Sequence, residues 1–440
     1  MQSSISTGFS AHKIVGMPIS FRESFHSWWN YTSLKDAEKE VLSFLPFFPE
    51  SDGKREAELS EIPIGDGLVM NEFKIQNIEP VPLGKKKLTL VIIHGFSESL
   101  VFFYRNYDAL SSIPGITIYA LDQLGFGRSS KPKLNAPSFD EFNDSGESVR
   151  AIKGEEYFVD AVEKWRNARG ISEKFIFMGH SLGGFVAGAY ATTFPQYVEK
   201  LIFISPAGIE RGYNPSDTIG LLDVVKNPFR KEYKVPLHMP KFSQEMFWPA
   251  VKSMQYRHGL TEQELEYLED DFKSGNEKAL PNWLVYFYKI EWTPFSLLKY
   301  AGFLNPRIVS EWGTIRFSHL EAKERDAILR YLYGSIKDYN NGTIAVRAVF
   351  GPGVAARRCL RDRLDNIKVP SLWLYGANDF ISPIGAQQCA RYLNQGDGVN
   401  YRKASVFVLN RCAHHVHMEN PNDFKKLVLR FLESEPKGKI

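Results

Sequence analysis

The chain has 440 residues, 43% of them hydrophobic and 24% charged, the make-up of a soluble globular protein that can bury a large core as one big domain with an insertion, or as two domains. A formal net charge of +3 is too small to argue for nucleic-acid binding, and no apolar run approaches the ~20 residues needed to span a bilayer. Cys359, Cys389 and Cys412 are odd in number and lack C-x-x-C spacing, so neither a disulfide framework nor a thiolate metal site is expected; a reducing compartment fits them.

Residues 1–22 contain Ser, Thr, His12, Lys13 and Arg22, and no acid. Without a continuous apolar stretch they do not read as a secretory signal; a mitochondrial transit peptide and an ordinary frayed terminus fit them equally. Phe25, Trp28, Trp29 and Tyr31 come next, suited either to a membrane interface or to packing on the main domain. Ser33 with Asp36 three residues on resembles a capping box, which predicts a helix over 34–45. This N-terminal extension, 1–50, runs into a polar linker at 48–60.

The first part of the core is expected over 51–210. Strand-like segments near 61–78 precede a clear strand at 88–93, which ends in His94-Gly95-Phe96. A strand at 116–121 leads to Asp122 and to Gly125, Gly127 and Arg128, a tight loop whose charged residues either hold the turn or meet substrate. Residues 131–150 read as a surface loop. A helix is predicted over 154–169 from the spacing of Tyr157, Phe158, Val162 and Trp165. Phe175 to Met178 then form a short apolar strand. It runs into Gly179-His180-Ser181-Leu182-Gly183, a G-x-S-x-G string followed by a small-residue helix. In strand–turn–helix context this is a nucleophile elbow, which lifts the serine hydroxyl out of the sheet on a strained turn. Another strand is predicted at 198–205.

Strand and helix alternate here as in a mostly parallel sheet with helices on both faces, an α/β class. From 211 to 340 that rhythm stops. The segment is helical in pattern and rich in aromatics, including Phe247, Trp248, Trp283 and Phe287. Inserted after a core strand, it is expected to form a cap over the site, with those four residues as walls for an apolar chain. The core resumes over 341–440, with strands at 369–375 and 404–409 and a closing helix to about 434.

Asp379 follows the first of these strands and His414 the second, so Ser181, Asp379 and His414 appear in the order Ser…Asp…His of an α/β-hydrolase. His414 would serve as general base and Asp379 would fix its tautomer; His415 is the alternative base. The backbone N–H groups of Phe96 and Leu182 are the expected oxyanion hole. His414, His415 and His417 find no matching carboxylate or thiol cluster, so no metal is expected, and the chemistry requires no cofactor.

On these residues the sequence resembles the α/β-hydrolase branch that groups animal N-acyl-phosphatidylethanolamine lipases and the lipid-droplet lipase co-activator with fungal mitochondrial enzymes. The similarity is carried by the Ser33-Leu-Lys-Asp-Ala-Glu38 helix, His94-Gly95-Phe96, Leu124-Gly125-Phe126-Gly127-Arg128-Ser129-Ser130, Phe158-Val159 to Trp165, and Gly179 to Phe185. Among fungal members it is most similar to the cardiolipin-specific deacylase and its lysophosphatidic acid acyltransferase paralogues. The resemblance implies a serine phospholipase acting on a membrane glycerophospholipid, cardiolipin being the candidate, peripheral to a mitochondrial membrane. The alternatives are an acyl-CoA-dependent acyltransferase and a non-catalytic lipid-binding co-activator, with cytoplasm or lipid droplet as the other location. The co-activator has Asn at the nucleophile position, where this chain has Ser181. The branch's H-x-x-x-x-D string, linked to acyltransferase activity, reads His414 to Glu419 here, with Glu in place of Asp.

Overall fold

A computed structural model describes residues 20–30, 32–136, 148–209, 298, 301–337, 341–350, 356–394 and 404–434. Its centre is an eight-stranded sheet: β1 (Arg55–Gly65), β2 (Leu68–Asn77), β3 (Leu88–Ile93), β4 (Ile116–Leu121), β5 (Phe175–His180), β6 (Val198–Ile204), β7 (Ser371–Gly376) and β8 (Ala404–Leu409). The order across the sheet is β1-β2-β4-β3-β5-β6-β7-β8. β2 runs antiparallel to both β1 and β4, and the strands from β4 to β8 are mutually parallel. The mostly parallel α/β sheet expected from the sequence is therefore present.

Alternation along each strand splits the core into two layers, because successive side chains point to opposite faces. On β3, Leu90 and Ile92 join one hydrophobic cluster while Val91 and Ile93 join the other. The first layer is closed by α2 (Leu34–Leu42), α3 (Tyr104–Leu110) and the C-terminal helix Pro421–Glu433. The second is closed by α4 (Val149–Ala168), α5 (Leu182–Thr193) and Ile384–Asn394.

Some local expectations shift. The polar linker gives way at Arg55 to β1, whose Arg55 pairs with Asn77 of β2. An edge strand with one solvated face carries alternating polar residues, and this is how a strand hides in a charged stretch. The aromatic segment before residue 30 is itself a helix, α1 (Phe21–Trp29), begun by a capping box between Ser20 and Glu23. At α2 the Asp36 amide donates to Ser33 Oγ (3.1 Å), but the Asp36 carboxylate accepts a hydrogen bond from the Ser33 hydroxyl (2.6 Å), and the helix ends at Leu42. Helix α4 starts at Val149, earlier than expected, capped by Ser148.

β6 and β7 are neighbours in the sheet although the predicted insertion separates them. Within that insertion 211–297, 299–300 and 338–340 lie outside the described residues, and Phe247, Trp248, Trp283 and Phe287 with them. Its last part forms α6 (Asn305–Arg316) and α7 (Ala322–Lys337). Ala327, Ile328 and Tyr331 of α7 lie in the same cluster as the strand residues of the first layer, and Arg330 pairs with Glu40 of α2.

Candidate active site

The G-x-S-x-G string is pulled tight by its glycines. A Cβ on Gly179 would lie 2.2 Å from the carbonyl oxygen of Gly183, and one on Gly183 would lie 2.6 Å from the carbonyl oxygens of both Ile93 and His94. Strand β5, helix α5 and the end of β3 thus touch backbone to backbone, which only residues without side chains allow. Between them Ser181 sits at φ +52° and ψ −113°, a conformation costly for a residue with a Cβ. Its N–H donates to Ile204 and its carbonyl accepts from Ala207, so β6 holds the turn in place. Leu182 opens α5, and Phe96 stands in the turn that leaves β3.

Asp379 and His414 come from the ends of the next two strands. The two loops are stitched together by Ala377 N–H to Leu409 (2.8 Å) and Asn378 N–H to Cys412 (3.0 Å). His414 Nδ1–H donates to Asp379 Oδ1 at 2.9 Å, and the amide of Ile381 donates to the same oxygen at 3.0 Å. Burial would raise the Asp379 carboxyl, but the His414 and Ile381 hydrogen bonds and the imidazole's charge hold it below its ordinary value. Burial pushes the His414 imidazole down, the Asp379 contact opposes this, and neighbouring His180 adds to the burial effect, leaving the ring below its ordinary value. With its proton on Nδ1, His414 keeps a lone pair on Nε2, as a general base requires. The exposed ring of Phe380, with its centroid 4.4 Å from that of His414, borders this pair on the solvent side.

The sequence favours His414 as the base, with His415 as the alternative. The structure pairs Asp379 with His414 and turns His415 the other way: its Nε2 lies 2.7 Å from Glu98 Oε1, and its Nδ1 meets the Arg316 guanidinium. The Glu419 carboxylate pairs with Arg316 (2.6 Å) and accepts the Ala413 N–H just before His414. His94, Asp122 and Arg128 hold the loops. Gln123 N–H donates to His94 Nε2 (2.9 Å), Asp122 accepts the amides of Leu100 and Arg128, and Arg128 reaches Glu38 of α2 (2.7 Å).

Glu98 and His180 escaped the sequence reading. His180 is the variable residue of the elbow string, and Glu98 lies 82 positions away, so no local spacing connects them. Among the described residues, Glu98, His180 and His417 bring possible metal-ligand atoms within 4.8 Å of one another. They fit a metal poorly, because both nitrogens of His180 and both oxygens of Glu98 are already engaged in hydrogen bonds.

Comparison with known proteins agrees with this architecture. The chain is 28% identical to a rice protein (Oryza sativa subsp. japonica) named probable 1-acylglycerol-3-phosphate O-acyltransferase, over 77% of this chain and 66% of that one. It is 27% identical to the Arabidopsis thaliana 1-acylglycerol-3-phosphate O-acyltransferase, over 89% of this chain and 78% of that one. It is also 26% identical to a (lyso)-N-acylphosphatidylethanolamine lipase of Mus musculus, over 81% of this chain and 83% of that one. These relatives are of the branch that the sequence motifs resemble. A family model described as the alpha/beta hydrolase fold matches residues 89–421, and the chain belongs to that family.

Proposed function

We propose that the protein is a serine hydrolase that removes an acyl chain from a membrane glycerophospholipid, with Ser181 as nucleophile, His414 as general base and Asp379 as its orienting carboxylate. The observation that carries this reading is the 2.9 Å Asp379–His414 hydrogen bond, with the His414 carbonyl 2.9 Å from Nε2 of His180, the residue before a serine held at φ +52°. His414 Nε2 takes the Ser181 proton as Oγ attacks the ester carbonyl. The tetrahedral oxygen faces the Phe96 and Leu182 N–H groups, each such donor lowering the barrier by about 3 kcal/mol. His414 then passes its proton to the departing lysolipid oxygen, leaving an acyl-serine. Water deprotonated by the same imidazole releases the fatty acid and restores Ser181.

Lipase names among the relatives support a lipid ester as substrate. Cardiolipin and a peripheral mitochondrial location follow from the resemblance to the fungal deacylase. Mass spectrometry of mixed mitochondrial phospholipids, incubated with wild-type or Ser181→Ala protein, tests the reading. Serine-dependent loss of an acyl chain from cardiolipin is expected, and hydrolysis retained in Ser181→Ala would refute it. Fractionation of cells expressing the tagged chain tests the location.

A second reading keeps the acyl-serine and replaces water by a lysophospholipid, with acyl-CoA as donor; the plant relatives' names favour it. The contacts of Glu419 speak for the hydrolase, since the acid of the acyltransferase-linked string is occupied by Arg316 and the Ala413 amide. Adding acyl-CoA to the same assay separates the two: a CoA-dependent gain of acyl chain on a lysolipid would favour transfer.

A further inference from the structure

Two acceptors face the ring of His180. Its Nδ1 stands 2.9 Å from Glu98 Oε2, and its Nε2 stands 2.9 Å from the carbonyl oxygen of His414. A carbonyl has no proton to give, so Nε2 must carry one. Glu98 is an acceptor on every side: Oε2 also takes the Gly95 N–H (2.9 Å), and Oε1 takes the Nε2–H of His415 (2.7 Å). His415 must donate there, because its other nitrogen receives the Arg316 guanidinium. A carboxylate with these donors has no call for a proton of its own, so His180 Nδ1 carries one too. Only the imidazolium has both.

We propose that His180 is a lasting imidazolium paired with Glu98, and that this buried pair positions the catalytic groups by fastening the base loop and the oxyanion turn to the nucleophile's strand. The proposal rests on the triad reading above. Its geometry joins three loops at one point. Glu98 fixes Gly95, which precedes Phe96; His180 precedes Ser181; and His180 Nε2–H holds the carbonyl of His414. A neutral ring has a single N–H and would let go of one side. A fixed cation whose ring centroid lies 4.7 Å from that of His414 also opposes a second positive charge there, which keeps the base unprotonated.

The groups that face His180 are Glu98 and His94 from β3 and its turn, Asp379 from the loop after β7, and His414, His415 and His417 from the segment after β8. Burial works against the charged ring, yet Glu98, the His414 carbonyl and Asp379 hold His180 above its ordinary value. Burial likewise works against the Glu98 carboxylate, and His180 and His415 hold it well below its ordinary range. Glu98 and His180 are positioning residues; neither is assigned a contact with substrate.

The test has two arms, both on the full chain. In the first, the protein carries ¹⁵N-labelled histidine rings and is observed by NMR at about pH 8.5, where ordinary histidines are neutral. One imidazolium signal is expected to persist and to vanish in His180→Gln; a wild-type spectrum with every ring neutral overturns the proposal. In the second, kcat and KM for fatty-acid release from cardiolipin–phosphatidylcholine vesicles are followed from about pH 5 to 9. In Glu98→Gln kcat is expected to fall by about 10- to 100-fold with KM within about twofold, and the acid limb to move up, because the His180 charge that is lost lowers His414 more than the Glu98 charge that is lost raises it. Glu98→Asp, which keeps the charge, is expected to recover part of kcat and to replace Glu98→Gln if that variant does not fold. A Glu98→Gln enzyme with wild-type kcat and acid limb overturns the positioning role. Hydrolysis retained by Ser181→Ala would instead remove the triad reading and leave the NMR result standing.

Discussion

His414 donates its Nδ1–H to Oδ1 of Asp379 across 2.9 Å, joining the loop after β7 to the loop after β8. If this contact selects the tautomer, Asp379→Asn will present an amide that can hold the ring with the proton on the wrong nitrogen. A fall in kcat on the order of 10⁴ is expected, with an unchanged circular dichroism spectrum. Turnover within tenfold of wild type would remove Asp379 from the mechanism.

Gly183 is the point at which the elbow presses on the oxyanion turn, with no room for a Cβ against the Ile93 and His94 carbonyls. In Gly183→Ala the two backbones must separate, at a cost of about 1–3 kcal/mol. Thermal melts should shift down by a few degrees. The loss of kcat should exceed what that stability change explains, because the N–H groups of Phe96 and Leu182 no longer aim at one point. Wild-type kcat in a folded Gly183→Ala protein would count against this assignment of the hole.

His417 has no exposed surface, stacks on Phe103 at 4.4 Å, and neither ring nitrogen has a hydrogen-bond partner among the described residues. Burial, with His180 adding to it, holds the folded imidazole well below its ordinary value of 6.5. Below that pH the unfolded chain binds a proton that the folded chain refuses. The stability contributed is therefore complete above about 6.5 and is lost as pH falls. Urea unfolding at several pH values should show His417→Phe losing less stability on acidification than wild type. Equal slopes would show that His417 does not report on acid unfolding.

Glu419 reaches Arg316 of α6 and the amide of Ala413, so it links the end of the predicted cap to the loop that bears His414. Burial would raise its carboxyl, but the Ala413 amide and Arg316 hold it below its ordinary value. Glu419→Gln should lower kcat by about tenfold or more with little change in KM, since a looser base loop weakens catalysis more than binding. Glu419→Asp restores the acid of the acyltransferase-linked string, and no CoA-dependent acylation is expected from it. CoA-dependent product from Glu419→Asp would reopen the transferase reading.

The sequence alone carried the strands of the parallel sheet, the elbow and the chain order of Ser181, Asp379 and His414. Each of these is written locally, in an apolar run, a glycine pair or a strand followed by a polar turn. Edge strand β1 was less legible because a half-solvated strand lacks an apolar run, and helix α1 was passed over although Ser20 and Glu23 spell its capping box. The sequence favoured His414 over the adjacent His415 by its place at the strand end, but only the tertiary structure showed which ring meets Asp379 and which meets Glu98. It alone brought Glu98 to His180 across 82 positions and Arg316 to Glu419 across 103. Burial makes such charges costly unless each finds its partner, so the pairs are set by which loops the folded sheet brings to one edge. No pattern in the chain encodes that.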